Sequence, residues 1–277
     1  MYYYYEEIIK EGEKMADFGS YVEYQIALYL CGKKYFEIDN HWKRIIKMMF
    51  PMINDDSIIY CEKVQRGLKQ DIFIVVEAIK KTISIKSGVD VTVHCEEINS
   101  FCKFLKSIGI SDYNIETLRL YHYGDETIDG TGTIRQNVQV LKDKYEGRIA
   151  KFNEEANKYF ILKNIMERVL SFGTLNQHDH VDYLYFGNLE KGELYDMDDL
   201  IQFFSIKHLP EVKSIHFGTF VYCPFYRFLS SNNKDEKDRH YSAIRWFRID
   251  IDLDKFVKYH KKIRKYGDHY SSSLEII

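Results

Sequence analysis

Proline is scarce in this chain, three residues in 277, which excludes long proline-rich linkers. Cysteine is limited to Cys31, Cys61, Cys95, Cys102 and Cys223, an odd number with no C-x-x-C and no regular spacing. That excludes a disulfide framework and points to a reduced, intracellular protein. Long apolar runs are missing as well: a stretch such as Ile72 to Val76 is far too short to cross a bilayer. The opening MYYYYEEIIKEGEK lacks a basic region followed by an apolar stretch, so a soluble, cytoplasmic protein with no membrane partner is expected. Net charge is small, −3, and by itself announces no polyanionic partner.

What the chain does have is a globular balance, 45% apolar and 29% charged residues, with a high aromatic share of 16% carried by 23 Tyr and 18 Phe. A packed core is expected, at a size where one large domain or two intimate ones both fit. Charge is unevenly distributed: residues 206–277 hold 14 Lys and Arg against 9 Asp and Glu, and the rest of the chain is acidic. Phosphate contacts need local rather than global positive charge.

Ser20 precedes a helical pattern in which Val22, Ile26, Tyr29 and Leu30 share a face and Gly32 ends the run. A second helix is expected from His41 to Met49, stopped by Pro51. The short β-branched runs Ile58–Tyr60, Asp71–Val76 and Thr82–Lys86 read as strands. A helix follows from about Glu97 to Ile108, and a strand from Thr117 to Tyr123. Beyond the loop Gly124–Gly132, a long polar helix is expected from about Arg135 to Leu170. Strands follow at Val181–Phe186, Ser214–Tyr222 and Tyr241–Ile251, with helices at Met197–Phe204 and Leu253–Tyr266. The expected architecture is α/β: a mixed sheet flanked by helices over residues 1–123, with an α+β extension over 124–277 for nucleic-acid binding or dimerisation.

The chemistry concentrates around Asp71 and Lys86. A hairpin turning at Ala78–Ile79 would set Phe73 opposite Ser84 and Asp71 opposite Lys86, with an acid and an ammonium at one end and Ser84 and Lys86 on one polar face. An ordinary cross-strand ion pair is the competing account. The stretch QDIFIVVEAIKKTISIKSG, an Asp opening one strand, a hairpin, then x-x-Lys on the next, resembles the PD-(D/E)-x-K nucleases of restriction-endonuclease-like fold over residues 17–123. That resemblance implies a metal-binding role for Asp71, the signature lysine at Lys86, and at Glu23 the acid of the preceding helix. Gln70 replaces the nominal proline, and Ser84 stands where the second acid belongs. Some restriction enzymes of this kind take that carboxylate from the following helix, here Glu96 or Glu97, between which the sequence does not choose.

The resemblance therefore implies a Mg²⁺-dependent DNA endonuclease, such as a type II restriction enzyme of a restriction-modification system, with Asp71 and Glu96 or Glu97 as metal ligands and Glu23, Ser84 and Lys86 beside them. Cutting both strands with one site per chain calls for a homodimer. In the basic C-terminal part Arg245, Arg248, Lys261, Lys262 and Lys265, interleaved with aromatics, are the expected DNA contacts. The rival is a degenerate nuclease fold that binds nucleic acid or a protein partner without cutting. Weaker motifs have bland accounts: Gly124–Gly132 as a surface loop, His178–Asp179–His180 as a polar turn, and His94 with Cys95 and Cys102 as packing residues rather than a base and nucleophile.

Overall fold

The computed structural model describes residues 19–64, 68–132, 135–174, 180–206, 213–224 and 239–267, and gives backbone but no side chains over 262–267. The chain is α/β and divides into two compact units, residues 1–88 with 163–202, and residues 89–162 with 203–277. The units interleave along the chain instead of dividing once near residue 123. No helix among the described residues is long and apolar enough to cross a membrane.

In the first unit, helix α1 (residues 19–30) buries Val22, Ile26 and Leu30, four residues apart, and turns Tyr21, Tyr24 and Leu28 outward. Gly32 leaves the helix with φ of +81°, a conformation that favours glycine. Helix α2 (Asn40–Met49) starts where the Asp39 carboxylate accepts the Trp42 N–H at 3.0 Å, and buries Trp42, Ile45, Ile46 and Met49. Against these helices packs one face of a five-stranded sheet in the order β1 (Tyr60–Lys63), β2 (Ile72–Val76), β3 (Ile79–Lys86), β5 (Tyr183–Gly187), β6 (Gly192–Asp196). Strands β1, β2 and β3 form an antiparallel meander, β5 lies parallel to β3, and β6 returns antiparallel. A parallel pair needs a crossover. Here the connection runs through residues 89–162 and returns along helix α7 (Tyr159–Met166) and a π-helical turn, Glu167–Phe172.

The β2–β3 register differs from expectation. Ile72 pairs with Ile83 and Phe73 with Thr82, so one step further Asp71 lies level with Ser84, and Lys86 is its diagonal neighbour. The cause is the turn, which falls on Glu77 and Ala78, both left-handed at φ of +49° and +67°. Two positive φ values define the tightest hairpin loop, normally a task for Asn-Gly. Glu77 is retained by its bonds from Ser57 Oγ at 2.5 Å and Asn54 Nδ2 at 3.1 Å. Ala78→Gly is expected to stabilise the fold by about 1 kcal/mol, raising the melting temperature by roughly 2–4 °C in a thermal denaturation.

The second unit holds a four-stranded antiparallel sheet in the order β4 (Val91–Glu97), β9 (Tyr241–Trp246), β8 (Phe220–Pro224), β7 (His216–Phe217). Its helices are α3 (Ile98–Ser107), α4 (Asp112–Tyr123), α5 (Val138–Lys144), α6 (Glu146–Ala156) and α9 (Ile249–Gly267), while α8 (Met197–Ile206) carries the chain out of the first unit. The stretch Thr117–Tyr123, expected as a strand, is the second half of α4. It is buried nearly all round (Thr117, Leu118, Leu120, Tyr121, His122, Tyr123), which erases the helical period, and Gly124 caps it at φ of +62°. The expected helix from Arg135 to Leu170 is α5, α6, α7 and the π turn, broken at Tyr145 and Asn157. Asn157 is put to other use: its amide oxygen takes the Gly218 N–H at 2.5 Å and its amide nitrogen donates to His216 O at 3.1 Å, holding β7. Gly218 turns with φ of +54° and splits the expected Ser214–Tyr222 strand into β7 and β8. The strand expected over Tyr241–Ile251 stops at Trp246, and α9 starts at Ile249.

Candidate active site

The first unit brings Glu23, Lys63, Asp71, Ser84 and Lys86 to one end of its sheet. Asp71 precedes β2 and is still held by the ladder, its N–H donating to Ile83 O at 2.9 Å. Three donors converge on Asp71 Oδ2: the Ile85 backbone N–H at 2.6 Å, Ser84 Oγ at 3.0 Å and Lys86 Nζ at 3.4 Å. Oδ1 takes part in none of these bonds. Lys86 Nζ also donates to Ile85 O at 3.0 Å, so the ammonium is steered by its own strand as well as by the acid. The expected polar face of β3 is present, but Ser84 rather than Lys86 stands opposite Asp71.

Glu23 reaches the same cluster from α1. Its carboxylate lies 2.9 Å from Lys63 Nζ of β1, both side chains mostly removed from solvent. Burial first and the Asp71 charge second raise the Glu23 carboxyl above the ordinary carboxylate range, against the opposing pull of Lys63 and Lys86. Asp71 and Glu23 therefore act on one another as like charges. Lys63 went unmarked in the sequence, yet a position on the same side of β1 as buried Cys61 and paired with buried Ile72 is an unusual place for a charge.

Glu96 and Glu97 belong to the second unit. They close strand β4 in the second unit, and α3 begins only at Ile98. Of the two registers left open by the sequence, the longer strand is the one formed, with His94 and Glu96 on one side. Glu96 is buried, with Oε2 2.9 Å from His94 Nε2 and Oε1 accepting Ser100 Oγ at 2.6 Å. Glu97 is exposed. Among the described residues no group of three or more His, Cys, Asp or Glu side chains forms a metal cage. Glu96→Gln is expected to cost about 1–3 kcal/mol in a denaturant titration, because it breaks a buried polar chain, whereas Glu97→Gln stays within about 0.5 kcal/mol.

The remaining candidates resolve individually. Arg245 is engaged by Asp90 at 2.8 Å and lies over the Phe247 ring, and Arg248 lies 3.4 Å from Asp250. Two aromatics expected to interleave with these cations, Tyr222 and Trp246, are core residues, Trp246 Nε1 donating to Asp252 Oδ2 at 3.0 Å. Lys261 is exposed, while the side chains of Lys262 and Lys265, like residues 225–238 and His178–Asp179, lie outside the described residues. His180 sits 3.4 Å from Asp182. The Gly124–Gly132 loop spends its acid internally: Asp125 accepts from Thr127 and pairs with Arg239 at 2.5 Å. Cys95 sits on β4 rather than a helix, and burial pushes the Cys102 thiol up to about 11, which suits packing and not nucleophilic attack.

Comparison with known proteins finds no matching family model, no matching curated protein and no matching solved structure. The geometry of the chain itself carries the functional argument.

Proposed function

We propose that this chain is a Mg²⁺-dependent DNA endonuclease of the PD-(D/E)-x-K type, acting as a homodimer in restriction, with Asp71, Ser84 and Lys86 at its centre. The observation that carries the reading is Asp71 at the mouth of β2, within 3.4 Å of the Lys86 ammonium on β3, in a sheet whose meander is followed by a parallel strand. A helix bearing an acid, then a hairpin carrying Asp71 and Lys86 within a mixed sheet, fits what the sequence resemblance implies, and the parallel β5 beside β3 makes the sheet mixed.

The donor set suits a hard cation. Mg²⁺ keeps several waters and is commonly held by one or two carboxylates with substrate phosphate oxygens. Asp71 would hold it, with the Ser84 hydroxyl and the Ile85 N–H fixing the carboxylate through Oδ2. When bound, the ion supplies charge stabilisation at the phosphorus centre and a low-pKa water. Lys86, steered by Ile85 O and Asp71, would donate to a non-bridging phosphate oxygen. Ser84 brings no charge, so the site has fewer acids than the resembled signature.

The test is incubation of the purified chain with duplex DNA and Mg²⁺, with and without EDTA. Discrete fragments that disappear with EDTA support a restriction enzyme, and a smear supports a nonspecific nuclease. Intact DNA retarded on a gel would replace the reading by that of a binding protein on a nuclease scaffold.

A further inference from the structure

Lys63 is the one ammonium in this cluster with three separate oxygen acceptors. Its Nζ lies 2.9 Å from Glu23 Oε2, 2.5 Å from Ser20 Oγ and 3.1 Å from Ser20 O. An ammonium has three N–H donors and no acceptor, so these contacts match its full capacity. All three acceptors come from a single turn of α1, residues 20 and 23, and the lysine comes from β1, where its pairing with Ile72 sets it beside the residue that follows Asp71. The pair is largely withdrawn from solvent, 28% exposed for Lys63 and 18% for Glu23, so water competes weakly for either partner. Charge is already balanced: Glu23 and Asp71 face Lys63 and Lys86. A metal ion at Glu23 would have to compete with an ammonium 2.9 Å away that Ser20 also anchors, whereas the Lys86 ammonium lies 3.4 Å from Asp71, whose Oδ1 is outside the three bonds that converge on Oδ2.

We propose that Lys63 is the built-in second cation of this site: its ammonium occupies Glu23, so that the chain binds a single divalent ion, at Asp71. The inference rests on the nuclease reading above and narrows it, since Glu23 becomes a ligand of Lys63 and Lys63 a positioning residue that locks α1 onto β1. It also accounts for a site with an acid missing at position 84: the charge otherwise needed to hold a second ion is consumed by an ion pair within the protein.

The test is isothermal titration of the full chain with Mn²⁺ in the absence of DNA, thermal melts confirming that each variant is folded. The wild type is expected to bind one ion. Asp71→Asn is expected to weaken that binding more than tenfold, and Glu23→Gln to change it less than threefold. Lys63→Met frees the Glu23 carboxylate and is expected to add a second ion or tighten binding at least tenfold. Two ions in the wild type, or a loss of more than tenfold in Glu23→Gln, overturns the proposal, and Glu23→Gln decides the matter even where Lys63→Met does not fold. Lys63→Met that folds and titrates like the wild type overturns it too. No Mn²⁺ bound by the wild type removes the metal-dependent nuclease reading and this inference together, while one ion with a strongly weakened Glu23→Gln removes this inference alone.

Discussion

If the chain is the proposed endonuclease, Asp71→Asn is expected to lower Mg²⁺-dependent cleavage of duplex DNA by on the order of 10³-fold or more, since it would remove the anionic ligand which that proposal assigns to the metal, and with it several kcal/mol of stabilisation. The melting temperature should move little, and the reason is local. An asparagine oxygen can still accept the Ile85 N–H and the Ser84 hydroxyl, and removing one negative charge relieves Glu23, whose carboxyl is raised in part by Asp71. Alanine is the poorer probe. It leaves the Ile85 N–H and the Ser84 hydroxyl without their acceptor, at about 1–3 kcal/mol, so a fall in activity could follow from a disordered strand end. Measuring cleavage rate and melting temperature on the Asn variant separates the two roles. Retained cleavage with a loss of several degrees would make Asp71 a brace between β2 and β3 and nothing more.

The parts of this site that were legible in the sequence are those set by local pattern. The short β-branched runs Asp71–Val76 and Thr82–Lys86 show two strands, and the short gap shows a hairpin, so Asp71 and Lys86 must come close. The register escaped because Glu77 and Ala78 adopt left-handed conformations without the Gly or Asn that usually marks such a turn. Ser84 consequently faces Asp71, and the hydroxyl in the place of the missing acid becomes a bond that orients the remaining one. Lys63 escaped for a different reason. Its role exists only once α1 lies across β1, and no spacing within β1 reports the position of Ser20 and Glu23 some forty residues earlier. The unit boundary was equally invisible, because the chain leaves the first sheet after β3 and contributes β5 and β6 only after residues 89–162 have been spent on the second unit. The α4 segment was misread because burial on every side leaves neither period standing.

Acidification should destabilise the second unit steeply, with His122 as a principal cause. This residue lies in the buried last turn of α4, with Nε2 3.0 Å from the backbone oxygen of Arg239 and Nδ1 2.8 Å from the Tyr222 hydroxyl. A carbonyl oxygen only accepts, so Nε2 carries the hydrogen and Nδ1 accepts from Tyr222: the ring is neutral and both nitrogens are used. Burial, aided by the positive charges of Arg135 and Arg119 and by His240, lowers the imidazole to about 3 from an ordinary 6.5. The sign follows from linkage. Because the folded-state value is depressed, the unfolded chain takes up the proton first as pH falls below about 6.5, and stability is lost progressively down to about pH 3. A shift of this size corresponds to roughly 5 kcal/mol, a substantial fraction of a domain's whole stability. His122→Gln, with one side-chain acceptor and one donor group, is expected to be less stable at pH 7 by about 1–3 kcal/mol if its reach to Tyr222 and Arg239 is imperfect. It should nevertheless lose much less stability than the wild type between pH 6.5 and 4. Urea titrations of both proteins across that range check the point, and parallel pH profiles would assign the acid sensitivity to groups other than His122.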